Sequence, residues 1–343
     1  MKVKKIGIVS LSSGVLGEDF VLHEVKIGIE RLKEYGIEVE FLSNSKKGIE
    51  FIKNSPEARA KDLIKAFKDD SIDMILCAIG GDDTYRLLPY LFENNELEKI
   101  AKQKIFLGFS DTTMNHFMLN KVGIKTFYGQ AFLPDVCELS NEMLPYSKHF
   151  FEELINTGKI KEIYPSDVWY TEREDFSEKA IGISMEEHHN SGFELIRGEA
   201  KFEGQILGGC LETIFDIFDN SRHEDTVYLC KKYSLFPSLN EWKNKILLLE
   251  TSEERPKPEL FRKMILKLQE YGIFDVISGL IVGKPQNEEY YNEYKKIILD
   301  EIRNKELSIV YNINIGHSTP RCIIPFGVNA KVDIERQIIE FKE

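Results

Sequence analysis

Short apolar runs alternate with helical patterns through the first 130 residues, and this alternation limits the fold more than any other feature of the sequence. Each run has the length of a buried strand, and the segments between runs carry apolar residues at helical spacing. Residues 21–32 form one such helical face, and Gly36 follows it as a C-terminal cap glycine would. Strands that alternate with helices form a parallel sheet with right-handed crossovers. We therefore predict an α/β fold whose N-terminal domain is a doubly wound parallel sheet, with strands at 6–11, 39–42, 74–79, 105–107 and 126–128.

The rest of the chain predicts a second, smaller domain of mixed α/β type. Between about residues 140 and 200 the sequence is polar and weakly periodic, apart from a short helical pattern at 146–155. We predict an N-terminal domain at 1–160, a linker or substrate loop at 161–197, and a C-terminal domain at 198–343. Within the C-terminal domain we predict a glycine-rich turn at 204–209, strands at 246–249, 276–282 and 307–313, helices at 259–271 and 291–303, and a hairpin at 330–341.

Composition and charge exclude several classes of function. The 343 residues carry a net charge of −12, which disfavours binding to a nucleic acid polymer or to an anionic membrane surface. No apolar run approaches the ~18 residues that a membrane span needs, and the N-terminal MKVKKIGIVSL suits a strand better than a signal peptide. The five cysteines are scattered without metal-ligand spacing. We expect a cytoplasmic protein with no metal and no cofactor.

The stretch IGGDDTYR places two glycines and two acids directly after the third predicted strand. Glycine-rich turns at this point expose backbone N–H groups to anions, and GGD-x-T is similar to the GGDGT turn of the NAD kinase and lipid kinase families. Asp83 stands where that turn has its third glycine, however, and a carboxylate there would repel phosphate. The alternative is a tight turn in which Asp82 caps the following helix. These residues alone leave both interpretations open.

The stretch IFLGFSDTT places Ser110 at the bend between the fourth strand and a helix. A strand–turn–helix with serine at its apex is typical of a nucleophile elbow, which raises the hydroxyl above the sheet and presents the next N–H group to an oxyanion. The motif is not G-x-S-x-G, because the fifth position is Thr112. The alternative is that Ser110 only caps the helix.

A serine nucleophile needs a base and a carboxylate that orients the base. His317, in NINIGHSTPR, follows a predicted strand, whereas His116 lies farther along the helix after Ser110 and points elsewhere. Glu250 directly follows the apolar strand of NKILLLETSEE, and a carboxylate there is well placed to orient a histidine. The alternatives are a loop histidine without a role and a glutamate that caps a turn. Glu253 and Glu254 follow in the same stretch and are predicted to be exposed.

Taken together, these stretches resemble the LD-carboxypeptidase family, which includes microcin C immunity proteins, in the same order along nearly the whole chain. The resemblance implies a serine hydrolase with a Ser110–Glu250–His317 triad and an oxyanion hole formed by the backbone N–H groups of Gly81 and Asp111. It also implies an acyl-enzyme, a site in the cleft between domains, no cofactor and a homodimer. The blocks that carry it are IGGDDTYRLLPYL, IFLGFSDTT, GIKTFYGQA, GQILGGCLETI, ILLLETSEE and GHSTPRCIIPFGV.

The resemblance implies two classes of small substrate. One is a muropeptide, cut at the L,D-bond before a terminal D-alanine. The other is a microcin C-type peptidyl-nucleotide, which is indicated by GG-D with Asp82 and by Trp169. Trp169 falls where the microcin branch has an aromatic residue for stacking on a nucleobase. The alternative is that Trp169 is only a packing anchor. Glu212 of GGCLE receives no predicted role. Two other classes of function remain: a nucleotide- or phosphate-binding, kinase-like protein that uses IGGDD, and a catalytically inactive binding homologue.

Overall fold

The computed structural model describes residues 2–342, which form sixteen strands and twelve α-helices within that range. Residues 1 and 343, the outer ends of the two predicted domains, lie outside the described residues. The strands are β1 Lys5–Val9, β2 Glu38–Phe41, β3 Met74–Cys77, β4 Ile105–Gly108, β5 Thr126–Tyr128, β6 Glu162–Ile163, β7 Val168–Tyr170, β8 Glu187–His189, β9 Glu194–Arg197, β10 Lys201–Cys210, β11 Lys245–Glu250, β12 Gly279–Gly283, β13 Ser308–Ile313, β14 Ile324–Phe326, β15 Asn329–Asp333 and β16 Ile338–Lys342. The α-helices are α1 Leu22–Glu34, α2 Ile49–Asn54, α3 Pro56–Lys68, α4 Leu88–Phe92, α5 Glu96–Ile100, α6 Thr113–Lys121, α7 Pro145–Thr157, α8 Leu211–Asp216, α9 Thr226–Lys232, α10 Leu239–Trp242, α11 Pro258–Tyr271 and α12 Tyr291–Glu301.

The N-terminal part of the chain forms a sheet with the strand order β14-β5-β4-β3-β1-β2. Strands β1 to β5 are parallel, and β14 pairs antiparallel with β5. Because β3 and β4 are neighbours and parallel, the turns that follow them lie side by side at one edge of the sheet. This edge is where ligands bind in open α/β sheets, and it carries both IGGDD and Ser110.

The C-terminal part forms a second, mixed sheet with the order β6-β16-β15-β10-β11-β12-β13-β9. Strands β10 to β13 are parallel, and the strands on both flanks pair antiparallel. Glu250 is the last residue of β11, and His317 follows β13, so both lie beyond the carboxyl ends of parallel strands. The predicted fold class, a largely parallel N-terminal sheet with a mixed α/β C-terminal part, is confirmed.

The glycine-rich turn predicted at 204–209 is wrong, because these residues lie inside the ten-residue strand β10. The glycines serve close packing between backbones. A Cβ on Gly208 would lie 2.0 Å from the carbonyl oxygen of Leu248 on the neighbouring strand. A Cβ on Gly209 would lie 2.3 Å from Thr113 Oγ1 on α6, which belongs to the first sheet's layer. Gly208 therefore allows close pairing within the second sheet, and Gly209 lies where that sheet packs against α6.

The segment predicted as a linker or substrate loop, 161–197, contains the short strands β6 to β9. Strands β7 and β8 form a separate two-stranded hairpin, while β6 and β9 are the outer strands of the second sheet. Strands of two to four residues at a sheet edge are too short to produce a periodic sequence pattern. Strand β14 was also not predicted. It forms where the chain returns from the second sheet to pair with β5.

Candidate functional site

Ser110 lies at a strained bend between β4 and α6. Its backbone has φ = +66°, a conformation that is uncommon for residues other than glycine and is the mark of a nucleophile elbow. A short 3₁₀ turn, Ser110–Thr112, continues into α6, and Thr113 Oγ1 donates a 2.7 Å hydrogen bond to the carbonyl oxygen of Ser110. Gly80 makes room for this bend, because a Cβ there would lie 2.7 Å from Ser110 Oγ.

The IGGDD turn is tied to the turn after β1 by the hydroxyl of Ser12. Ser12 Oγ accepts hydrogen bonds from the backbone N–H groups of Asp82, at 3.0 Å, and Asp83, at 3.2 Å, and donates one of 2.7 Å to the buried carboxyl of Asp111. Burial raises the pKa of the Asp111 carboxyl. Gly81 has φ = +154°, and a Cβ there would lie 2.2 Å from Ser12 Oγ. The position therefore needs glycine, and its backbone stays uncovered beside Ser110.

The two acids of IGGDD have different surroundings. Asp83 is buried against the guanidinium of Arg59, with oxygen–nitrogen distances of 2.5 and 3.1 Å, and Arg59 also donates to the carbonyl oxygen of Leu11. Asp82 points outward, and its carboxylate lies 3.2 Å from His223 Nε2. Asp83 thus anchors the turn internally, and a substrate contact by Asp82 stays a prediction. Arg59 was missed because nothing in its own helix pattern marks it.

Glu250 holds His317 through two hydrogen bonds to one carboxylate oxygen. Glu250 Oε2 accepts from His317 Nδ1 at 2.8 Å and from the backbone N–H of His317 at 3.1 Å. Gly316 allows this contact, because its φ is +77° and a Cβ there would lie 2.2 Å from Glu250 Oε2. The carboxylate fixes both the position of the ring and the nitrogen that carries a proton, which leaves Nε2 as the atom that faces the cavity.

Tyr128 joins the two sheets between Ser110 and Glu250. Its hydroxyl donates a 2.5 Å hydrogen bond to Glu250 Oε1 and accepts one of 3.1 Å from the backbone N–H of Ser110. Burial and the neighbouring Glu250 raise the pKa of Tyr128, so the hydroxyl keeps its proton. Sequence reasoning missed Tyr128, although it lies in the FYGQA stretch at the end of β5.

Glu253 forms an ion pair with the second ring nitrogen of His317, Nε2. Its Oε2 lies 3.0 Å from His317 Nε2, and within residues 2–342 no hydrogen bond joins Ser110 Oγ to that ring. Burial lowers the pKa of His317, but the charges and hydrogen bonds of Glu250 and Glu253 outweigh it and raise the pKa to about 10. The hydrogen bond from His317 in turn lowers the pKa of Glu253 to about 2. In this arrangement the ring is an imidazolium, which cannot accept a proton.

Glu212 fixes the segment that carries Glu253. Its Oε1 accepts hydrogen bonds from the backbone N–H of Ser252, at 2.9 Å, and from Ser252 Oγ, at 2.6 Å. Glu212 is buried, and burial raises the pKa of its carboxyl. The residue that had no predicted role therefore holds the base of the 251–257 segment, whose next residue reaches His317.

A cavity of about 840 Å³ brings part of the predicted set together. Ser110, His317, Gly81 and Glu253 line it, and the ring of Phe109 meets the His317 ring with centres 5.0 Å apart. Glu250 and Asp111 lie behind this wall, where they contact His317 and the IGGDD turn through the hydrogen bonds given above.

Trp169 lies outside the wall of this cavity as the described residues form it. It belongs to the β7–β8 hairpin, and its indole stacks on His188 with ring centres 4.2 Å apart. The ammonium of Lys284 lies 5.2 Å from the centre of the indole ring. The aromatic ring that lines the cavity mouth from this segment is the half-exposed Phe176. Nucleobase stacking by Trp169 stays a prediction.

Comparison with known proteins places the chain among hydrolases of the carboxypeptidase type. A family model described as the LD-carboxypeptidase N-terminal domain matches residues 6–129, and one described as the LD-carboxypeptidase C-terminal domain matches residues 203–332. A putative carboxypeptidase of Synechocystis sp. is 32% identical over 334 residues, covering 96% of this chain and 91% of that protein. The chain belongs to the LD-carboxypeptidase family.

Two further proteins are similar over nearly the whole chain. The structure of an MccF-like protein from Streptococcus pneumoniae in complex with AMP is 65% identical, with a TM-score of 0.98 and 99% of each chain covered. The microcin C7 self-immunity protein MccF of Escherichia coli is 24% identical over 328 residues, covering 92% of this chain and 87% of that protein.

Among residues 2–342, no helix has the length and apolar character needed to cross a membrane.

Proposed function

We propose that this chain is a serine carboxypeptidase that hydrolyses a C-terminal amide bond through Ser110, His317 and Glu250. One observation carries the proposal: a serine held at positive φ lines the same cavity as a histidine whose Nδ1 is fixed by a buried glutamate. A kinase-like function would need none of these three side chains. Membership of the LD-carboxypeptidase family supports the same assignment.

The reaction begins when Glu253 leaves His317 and Nε2 loses its proton to solvent water. His317 Nε2 then accepts the proton of Ser110 Oγ as that oxygen attacks the scissile carbonyl. The N–H groups of Gly81 and Asp111 donate to the oxyanion, and each such donor contributes roughly 10²–10³ in turnover. His317 next gives its proton to the leaving amine, and water releases the acyl group from Ser110 by the reverse proton transfers.

Glu250 and Tyr128 act on the reaction through other residues. Glu250 keeps Nε2 of His317 directed at the cavity and stabilises the imidazolium that forms after attack. Tyr128 gives Glu250 a third hydrogen bond, to Oε1, and fixes the backbone of Ser110, so it is a positioning residue. Because both contacts are buried, removing the hydroxyl leaves Glu250 Oε1 without its donor.

Two substrate classes fit the proposal, and the peptidyl-nucleotide deserves the first trial. The Streptococcus pneumoniae protein that is 65% identical has AMP in its structure, which supports a nucleotide-bearing substrate for this chain. A cavity of about 840 Å³ lies in the range that holds small organic ligands. The second class is a muropeptide cut before its terminal D-alanine.

Mass spectrometry of the products tests the proposal with both substrates. We expect wild type to cleave a peptidyl-adenylate analogue, a D-alanine-terminated muropeptide tetrapeptide, or both, and Ser110→Ala to cleave neither. Ser177→Ala is the matched control, because it removes another hydroxyl from the cavity wall. Turnover by Ser110→Ala at the wild-type rate would contradict the serine mechanism. Binding of either substrate without turnover by wild type would favour an inactive homologue, and ATP turnover would favour the kinase-like alternative.

We further propose that the protein is a cytoplasmic homodimer, as the family resemblance implies. Sedimentation velocity at micromolar concentration should give the mass of two chains, and a monomer under those conditions would contradict the proposal. Fractionation of cells into cytoplasm, membrane and medium tests the location.

A further inference from the structure

Glu24 is a buried carboxyl that the proposed mechanism does not use. It is the third residue of α1, it is 7% exposed, and it lines the same cavity as Ser110. Among residues 2–342, no hydrogen bond or ion pair is made by its carboxylate. A charged group in such a place is unusual, because a buried carboxylate without a partner costs several kcal/mol.

The surroundings of Glu24 explain why nothing in the protein satisfies it. The cation whose charge acts on Glu24 is Arg173, which is already committed to Glu138 at 2.5 Å and to the carbonyl oxygen of Ile183 at 3.1 Å. Burial and the charge of Glu138, opposed by Arg173, raise the pKa of Glu24 to about 7. The dipole of α1 favours negative charge in its first turn but donates no hydrogen bond to the carboxyl oxygens. Apolar side chains in the cavity wall include Val21, Leu133, Pro134 and Leu139.

A wall that combines apolar side chains with an unpaired acceptor matches a particular kind of ligand group. The wall suits methylene groups or the face of a ring, and the carboxyl suits an N–H donor at the end of that group. A ligand without the donor would leave the carboxyl buried and unpaired, so the site would discriminate against it. The acids near this part of the cavity disfavour an anionic group there.

We propose that Glu24 is the specificity-determining residue of this cavity and accepts a hydrogen bond from an amine on an apolar part of the substrate. Two sources carry this chemistry: an ammonium on an aliphatic side chain, and the exocyclic amine of a nucleobase. The inference rests on the proposed peptidase function for its place in the reaction, but binding alone can test it.

The experiment uses pairs of ligands that differ only in the amine. The aliphatic pair is a peptide amide with lysine or with norleucine next to the scissile bond. The aromatic pair is AMP and the 5′-monophosphate of purine riboside, which lacks the 6-amine. Dissociation constants are measured by calorimetry for wild type, Glu24→Gln and Glu24→Leu. Glu30→Leu is the control, because Glu30 lies on the same helix and is exposed.

We expect wild type to prefer the amine-bearing member of one pair by on the order of tenfold or more, as one hydrogen bond to a charged group provides. Glu24→Leu should abolish that preference, and Glu30→Leu should keep it. Glu24→Gln retains an acceptor, so it should keep part of a preference for the aromatic amine and lose most of a preference for the ammonium. The pair that responds identifies the source of the amine.

Thermal unfolding separates this role from a structural one. If Glu24 serves the ligand, Glu24→Leu removes an unpaired buried carboxyl, and its Tm should equal or exceed that of wild type. A preference that survives in Glu24→Leu, or no preference in either pair, would overturn the inference even if the enzyme hydrolyses its substrate. Absence of hydrolysis with an intact, Glu24-dependent binding preference would instead count against the proposed function alone.

Discussion

Replacing Glu253 by glutamine should make the enzyme more active at neutral pH. The carboxylate of Glu253 lies 3.0 Å from His317 Nε2 and helps to hold the ring as an imidazolium, which must lose a proton before it can act as a base. Glu253→Gln removes the charge while keeping the size of the side chain. The pKa of His317 should therefore fall, and the neutral ring should form at lower pH.

The size of this shift follows from the contact. A hydrogen bond between charged groups contributes about 1.5–3 kcal/mol when both are desolvated. The side chain of Glu253 is 66% exposed, so solvent screening brings the contribution toward the ~1 kcal/mol of surface pairs. A value near 1.4 kcal/mol corresponds to roughly one pH unit. The stabilised form is the protonated one, so wild type carries the penalty at every pH below the His317 pKa, and its rate recovers as pH rises through that pKa.

The assay is kcat/KM against pH, because this ratio reports the ionisations of the free enzyme. The midpoint of the acidic limb should move down by about one unit in Glu253→Gln, which raises kcat/KM at pH 7 about tenfold. Glu254→Gln is the control, because that carboxylate lies 2.9 Å from Arg222 and does not contact His317. A midpoint that stays at the wild-type value, or one that moves to higher pH, would refute this account of Glu253.

Three substitutions test the supporting contacts. Tyr128→Phe removes the donor to Glu250 Oε1, so kcat should fall by roughly 10- to 100-fold with little change in KM, as steady-state kinetics would show; an unchanged kcat would contradict the positioning role. Gly316→Ala places a Cβ 2.2 Å from Glu250 Oε2 at a φ of +77°, so the variant should lose most activity while circular dichroism still reports a folded chain; wild-type activity would show that the contact with His317 does not depend on this glycine. Arg59→Met leaves the buried Asp83 with only the half-buried Arg86, at 3.2 Å, and urea unfolding should show a loss of about 3 kcal/mol, the low end of the cost of breaking a buried pair, which adding Asp83→Asn should partly restore; equal stability would contradict the anchoring role of the Arg59–Asp83 pair.

The residues that sequence reasoning placed in the site share a local signal. Ser110 and His317 each follow a strand with a recognisable apolar run and Glu250 ends one, and within each sheet parallel strands bring their carboxyl ends to a common edge. Tyr128 and Glu253 carry no such signal, because their roles depend on contacts between residues 122 and 64 positions apart in the chain. The Tyr128 contact exists only once the two sheets pack against each other, and the Glu253 contact only once β11 and β13 lie in one sheet.

Some features of the fold also depend on contacts between distant residues and could not be predicted from the sequence. The strands of the first sheet were predicted from their apolar runs, whereas the return of β14 to pair with β5 leaves no trace in a three-residue segment. The error at 204–209 has a physical reason, since glycine permits both a turn and the close approach of two backbones. Only the position of Leu248 on the neighbouring strand distinguishes the two.

The central claim is that Ser110 is a nucleophile activated by His317, and labelling with a fluorophosphonate tests it most directly. The reagent phosphonylates an activated serine hydroxyl, and peptide mapping by mass spectrometry locates the adduct. The account predicts one equivalent of label on Ser110 in wild type and almost none in His317→Ala. An enzyme that hydrolyses its substrate while Ser110 stays unlabelled, or that carries the label on another residue, would contradict it.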